Sequence, residues 1–276
     1  MDINSSTLSF RITLIDLDDL KPHEEVIESL VVELASEMRV QNEVRDPLIV
    51  DKHALVILDG MHRYNALRRI GCQRAPACLV DYDDERIKVG AWFRFLTVSD
   101  PDSVAAEALE ANHLGYQRKE VSFNQTDLVN TAIVTHDSAF ELTDVTDKLS
   151  SSQSAVRIEK YMTERGFTVE YAPDNVVNQY IRSNANIIIP VPIFSKTEIR
   201  ETATLGRLLP HKVTRHVIPS RPLRLDVPLD FLTDHSHEEA NEKLNQLLSA
   251  RHVDRRPPGS VVDGRRYQEE LLIFEA

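Results

Sequence analysis

The sequence predicts an α+β protein: a compact N-terminal domain of mixed strands and helices, followed by a second α/β part. Three observations support this. Two-residue and 3.6-residue apolar periodicities alternate along the N-terminal third. An apolar run, Leu55-Val56-Ile57-Leu58, breaks at Asp59-Gly60 straight into a helical pattern, as a buried strand turning into a helix does. The chain of 276 residues is 42% hydrophobic and 28% charged, the balance of a globular protein large enough for one large or two modest domains.

Taken in order, Leu8–Leu20 alternates as a strand through Ile12, Leu14, Ile15 and Leu17. Pro22-His23-Glu24 opens a helix running to about Met38, with Val26, Ile27, Leu30, Val31 and Leu34 on its apolar face. Pro47–Asp51 and Ala54–Leu58 read as short strands joined by a tight turn at Asp51-Lys52-His53. The helix Met61–Ile70 stops at Gly71, the usual residue past a helix end. Ala77–Tyr82 and Ile87–Leu96 are further strands and Pro101–His113 a helix, which bounds the first domain at residues 8–98.

Residues 99–276 form the expected second domain. Its predicted helices are Asn124–His136, Ser154–Arg165, Asn175–Arg182, Lys196–Leu208 and His237–Arg251. Its predicted strands are Phe167–Tyr171, Ile187–Pro192 and Ser220–Leu229, with Tyr267–Phe274 closing a sheet. Ser150–Ser154 is the only low-complexity stretch and is too short to be an interdomain linker.

Composition excludes several classes of function. The net charge of −12, from 32 basic and 44 acidic residues, is spread along the chain and argues against a nucleic-acid partner. No apolar run is long enough to span a membrane, and the N-terminus has no secretory pattern, so a cytoplasmic protein is expected. Cys72 and Cys78 are too few for a disulfide framework or a zinc site and are expected to be reduced.

The chemistry concentrates at Asp59-Gly60-Met61-His62-Arg63. A strand turning through glycine into a helix aims unpaired N–H groups and the positive end of the helix dipole at one spot. His62 and Arg63 add positive charge, so the turn reads as a phosphate site. Asp59 beside such phosphates either ligates Mg²⁺, orients an acceptor hydroxyl, or is a plain Asp-Gly turn residue. Lys212, Thr214 and His216 alternate and would share one strand face, either a solvated edge or a surface for a small zwitterion. Trp92, the only tryptophan, is a core or a substrate residue. His235-Ser236-His237-Glu238-Glu239 reads as a helix cap more than a metal site, and Asp81–Glu85 as a solvated acidic turn more than a cation site. Gly259–Gly264 is a turn without P-loop spacing.

The run Asp59-Gly60-Met61-His62-Arg63-Tyr64-Asn65-Ala66 resembles the phosphate-binding turn of the ParB/sulfiredoxin superfamily. Together with His23-Glu24, Trp92 and Lys212-Val213-Thr214-Arg215-His216, it resembles the free-serine kinases within that superfamily. The likeness covers about residues 12–98 and 205–225 and leaves 115–195 unmatched. Met61 stands where sulfiredoxins carry their reactive cysteine, and a thioether cannot replace that nucleophile. The Glu-Arg-Arg turn and helix-turn-helix of ParB partition proteins are not evident. The resemblance implies a ParB/sulfiredoxin-like first domain that transfers phosphoryl from ADP or ATP, with Mg²⁺, to the hydroxyl of L-serine. The product is O-phospho-L-serine, as in cysteine or related biosynthesis. It implies nucleotide binding at Gly60, Met61, His62 and Arg63, and catalysis by Glu24 as general base (Glu25 is adjacent) with Asp59, which would also meet Mg²⁺. Serine binding falls to Trp92, Lys212, Thr214 and His216, the last three on a segment, 209–217, of the second domain. Two alternatives stay open: a nucleotide-binding regulator without kinase activity, and a kinase for another hydroxy amino acid.

Overall fold

The computed structural model describes residues 1–120, 131–176, 185–233 and 236–275. The chain forms two units: Met1–Lys88 with Lys196–Leu208 and His216–Ala276, and Val89–Ser195 with Leu209–Arg215. This differs from a division at residue 98. The C-terminal residues return to the first unit because its N-terminal strands bind them: Thr7 Oγ1 donates to Pro219 O at 3.2 Å, and the Leu14 N–H donates to Asn241 Oδ1 at 2.9 Å. The segment 209–217 is likewise divided, with Lys212 and Thr214 in the second unit and His216 in the first.

The first unit opens with β1 (Asp2–Asn4) and β2 (Ser9–Asp16), then α1 (Glu28–Gln41), β3 (Leu48–Asp51), β4 (Ile57–Asp59), α2 (Met61–Ile70) and β5 (Arg74–Val80). The strands form one sheet in the order β1-β2-β5-β3-β4, with β3 and β5 parallel and the other pairs antiparallel. All of β3 is buried, which accounts for its unbroken apolar run. Helix α1 begins at Glu28 and not at Pro22. Lys21 is drawn into a backbone bridge with Val56, its N–H on Leu55 O at 2.9 Å and its carbonyl taking the Ile57 N–H at 3.0 Å. His23-Glu24 therefore precede the helix instead of lying in its first turn. Helix α2 matches its expected bounds, and Gly71 closes it with φ 94°.

The second unit carries β6 (Trp92–Leu96), α3 (Pro101–Ala111), β7 (Tyr116–Glu120), β8 (Thr131–Val134), β9 (Ser138–Leu142), α4 (Lys148–Glu164), β10 (Glu170–Pro173) and β11 (Ile187–Ile189). Its strands form an antiparallel sheet in the order β10-β6-β11-β8-β9-β7. One predicted helix needs correction, and a second falls mostly outside the described residues. Residues 124–130 of the first lie outside the described residues, and the end of its span is strand β8, buried throughout, as β-branched Thr131, Ile133 and Val134 favour. Most of the second, 177–182, also lies outside them, and Asp174–Val176 is a single 3₁₀ turn. The serine stretch lies within α4: Asp147 caps the Ser150 N–H at 2.9 Å, and the Ser152 and Ser154 hydroxyls donate to the carbonyls of Lys148 and Ser150. The hydroxyls are thus satisfied locally and the helix continues.

On its return to the first unit the chain forms α5 (Lys196–Thr204), β12 (Ser220–Leu223), α6 (Asp230–Thr233), α7 (His237–Ser249), β13 (His252–Arg256) and β14 (Glu270–Glu275). A small sheet runs β12-β14-β13, with β12 parallel to β14, so the tail does close a sheet. The strand expected over Ser220–Leu229 is interrupted at Arg224 and Asp226, whose φ angles are 57° and 39°. Ser236 and Glu239 form the expected capping box at α7, while His235 lies outside the described residues. Among the described residues no helix is long and apolar enough to cross a membrane.

Replacing Ser236 with Ala should lower stability by about 1 kcal/mol, because it removes the side-chain acceptor of the Glu239 N–H. A shift in urea midpoint at constant slope is the check, and an unchanged midpoint would contradict the cap's contribution.

Candidate functional site

In the first unit the site is built on the turn from β4 into α2. Gly60 has φ 102°, a left-handed conformation, and a Cβ there would lie 2.7 Å from Leu48 Cδ2 and 2.8 Å from an Arg63 guanidinium nitrogen. Only glycine fits without displacement. The Gly60 carbonyl takes the Tyr64 N–H at 2.9 Å, and no side chain caps α2. The turn thus opens α2 with the N–H groups of Met61, His62 and Arg63 at a helix start of the kind that can hold an anion. The Met61 side chain is buried, so its contribution there is its backbone N–H.

Asp59 ends β4 as a carboxylate between two arginines. Its Oδ2 accepts from Arg63 at 2.9 Å and from Arg221 at 2.7 Å, and Arg221 also donates to Glu269 Oε1 at 2.8 Å. Burial alone would raise the Asp59 pKa, but the Arg221 and Arg63 charges hold it far below the carboxylate range. Arg63 also donates to Pro47 O at 3.2 Å. Its fork is thus folded toward Asp59 and the β3 entry. His62 accepts the Ile27 N–H on Nε2 at 3.2 Å, tying the turn to the start of α1.

Two further histidines grip the strand behind the turn. His23 is buried, and its Nδ1–H donates to Ile57 O at 2.7 Å. His216 hydrogen-bonds the next carbonyl, that of Leu58, and its Nε2 accepts from the Tyr82 hydroxyl at 2.7 Å. The two rings meet edge to face, with centroids 5.3 Å apart. Burial lowers the pKa of His23 to about 4 and that of His216 to about 3, so both are neutral at physiological pH. In this structure the ring of His216 is engaged inside the first unit, by the Leu58 carbonyl and the Tyr82 hydroxyl. Tyr82 is itself held by Lys196 and Arg200, 5.2 and 5.0 Å from its ring. Glu24 is half-buried where Glu25 is exposed.

The acidic turn is matched by cations. Asp81 pairs with Lys52 at 2.9 Å, and Asp83 pairs with Arg200, which also binds the buried Asp51 at 2.7 Å. His53, Asp81 and Asp83 approach closely enough to share an ion, but their partners already satisfy the carboxylates.

In the second unit, Lys212 places its ammonium 5.1 Å from the Trp92 ring centre and 5.9 Å from that of Tyr171; Arg215 approaches Trp92 at 5.8 Å. Lys212 sits in a turn with φ 57°, and the next strand spans only Arg215–Val217. The alternation of Lys212, Thr214 and His216 therefore does not make one strand face. Thr214 is buried in this unit. Beneath Lys212 lies Arg94, fully buried, with Nε on Glu159 Oε2 at 2.8 Å.

Sequence reasoning missed Arg221, Arg94, Tyr82 and Glu159. The available signal was an arginine inside an apolar strand, in Ser220-Arg221-Pro222-Leu223 and in Trp92-Phe93-Arg94-Phe95. A charge so placed requires a buried partner.

No family model matches the chain. It is 27% identical over 209 residues to a ParB-like protein of Sulfolobus acidocaldarius, covering 76% of this chain and 92% of that one. It is 25% identical over 231 residues to an ATP-dependent L-serine kinase of Staphylothermus marinus, covering 79% and 90%. It is 24% identical over 233 residues to an ADP-dependent L-serine kinase of Thermococcus kodakarensis, covering 79% and 91%. Among solved structures, a glutamate-to-alanine variant of a free serine kinase in complex with ADP matches at a TM-score of 0.69 with 21% identity, over 84% of this chain and 97% of that one. These likenesses bear out the α+β fold and the resemblance to serine kinases.

Two outcomes follow from this geometry. Arg221→Met leaves Asp59 and Glu269 without their shared cation and should lower stability by about 3 kcal/mol, read from urea unfolding; a loss near zero would mean the bridge is dispensable. The histidines set a pH dependence. A folded-state pKa held below the ordinary 6.5 stabilises fully above that value and loses its contribution as pH falls toward the folded pKa. Moving from pH 7 to about pH 5 should therefore cost about 2 kcal/mol for His23 alone, since its folded pKa is about 4. A His23→Gln variant with an unreduced pH slope would contradict this.

Proposed function

We propose that this chain is a kinase that transfers a phosphoryl group from ADP or ATP to the hydroxyl of free L-serine, giving O-phospho-L-serine. The observation that carries the reading is the uncapped α2 N-terminus opened by Gly60, in a chain that resembles L-serine kinases over 79% of its length. Helix N–H groups and dipole bind phosphate without a mobile side chain, and the doubly paired Asp59 brings its carboxylate to the turn with its charge balanced.

In the reaction the seryl oxygen attacks the terminal phosphorus of the nucleotide. A new oxygen–phosphorus bond forms as the bridging phosphorus–oxygen bond breaks, and its electron pair leaves on AMP or ADP. Glu24 accepts the hydroxyl proton; its partial burial favours it over Glu25 for this role. Lys212 over Trp92 offers a cation for the amino acid's carboxylate, and Thr214 lies on the same segment. His216, which the resemblance assigns to serine, also holds the Leu58 carbonyl just before the turn. Mg²⁺ would neutralise phosphate charge; of the Asp59 carboxylate, Oδ2 is committed to arginines, which leaves Oδ1 to meet the ion. The net charge of −12 argues against a nucleic-acid partner.

Purified protein supplied with L-serine and either nucleotide should yield O-phospho-L-serine by mass spectrometry. Glu24→Gln should lower kcat by about 100-fold or more with nucleotide Kd unchanged, while Glu25→Gln stays within about twofold of wild type. Nucleotide binding without phosphoserine from either donor would overturn the kinase reading and favour a nucleotide-binding regulator. Turnover of threonine or homoserine above serine would reassign the acceptor.

A further inference from the structure

Lys212 has φ 57°, a conformation that crowds any side chain with a Cβ. Such a backbone persists only where its surroundings over-determine it. Among those surroundings, one side chain binds the carbonyls of the turn itself. Arg94, with 0% of its surface exposed, donates from Nη1 to Lys212 O and Trp92 O, each at 3.0 Å, and from Nη2 to His211 O at 3.1 Å. Its Nε donates to Glu159 Oε2 at 2.8 Å.

The carbonyls that Arg94 joins belong to the residues whose side chains form the cation–aromatic pair, Lys212 and Trp92. Glu159 balances the buried guanidinium and also accepts the Tyr171 hydroxyl, and the His211 ring stands 3.7 Å from it. The circuit closes on itself: Arg94 holds the His211 carbonyl, the His211 ring faces Glu159, and Glu159 holds Arg94. A buried guanidinium is costly to desolvate, and apolar packing would fill the same space more cheaply. What the guanidinium adds is a planar fork that binds several carbonyls in fixed directions, which a lysine cannot do.

We propose that Arg94 is a positioning residue for the acceptor amino acid. Through the carbonyls of Trp92 and Lys212 it fixes an ammonium against an indole face as a preformed receptor for a carboxylate. This rests on the kinase reading above. An ammonium held against a ring face keeps donors for an anion on its other side. Pre-set in this way, the receptor loses little freedom when the amino acid binds.

Trp92 is the only tryptophan, so intrinsic emission reports this receptor independently of turnover. L-serine is titrated into the full chain while emission is followed, and KM is measured for both substrates. Arg94→Lys should raise the half-saturating L-serine concentration about tenfold or more in both measurements, with nucleotide KM within about twofold of wild type. Tyr171→Phe, which keeps Arg94 and removes one hydrogen bond to Glu159, should raise it about threefold. Unchanged half-saturation in Arg94→Lys, or an equal rise for nucleotide and L-serine, overturns the proposal. If Arg94→Lys does not fold, Tyr171→Phe decides, and an unshifted value there overturns it. A wild type that neither responds to L-serine nor forms phosphoserine overturns the kinase reading and this proposal with it.

Discussion

The first unit depends on a carboxylate shared by two arginines. Asp59 lies where β4 gives way to the glycine turn, and Arg221 reaches it from a strand 162 residues further along the chain. That contact joins the N-terminal sheet to the C-terminal one and explains why the unit is built from separated stretches of sequence. Such charges contribute less to net stability than their attraction suggests, because Arg221 and Glu269 have been largely withdrawn from water. Their stronger effect is directional. With Arg63 and Arg221 both on Oδ2, the strand end has one favourable orientation, and the helix that follows inherits it.

Both units use the same device. The residues assigned to chemistry stand on backbone whose carbonyls are held by buried polar side chains. In the first unit His23 and His216 hold Ile57 and Leu58 in succession, just before the turn. In the second, Arg94 holds Trp92 and Lys212. Phosphoryl transfer is mainly a problem of placement, so rigidity around the donor and acceptor groups matters more than any additional reactive side chain.

What could be read in the sequence follows the range of the forces involved. Helix α2, its two flanking glycines and the α7 capping box depend on residues within a few positions of each other, and all were legible. The start of α1 was misplaced because Pro22 and the following apolar spacing imitate a helix entry, whereas Lys21 is committed to Val56 by a bridge that leaves no local trace. The alternation over Lys212–His216 suggested a strand, but its first residue is left-handed and its carbonyl is bound by Arg94, over a hundred positions earlier in sequence. The arginines at 94 and 221 were illegible as site residues for the same reason: Glu159 lies 65 residues from its partner. The strand-to-helix turn itself was legible, although its Arg63 is directed inward in the structure.

The separation of Asp59 from Arg221 also bears on how the protein is made. At a synthesis rate of roughly 5–20 residues per second, Arg221 follows Asp59 out of the ribosome by on the order of ten to thirty seconds. Over that interval the strand and helix around Gly60 can form, but the carboxylate has only Arg63 for company. Glu269, which orients Arg221, arrives later still. The Gly60 turn is therefore among the last features to reach its final form, because Asp59 lacks its second arginine until the C-terminal sheet has docked.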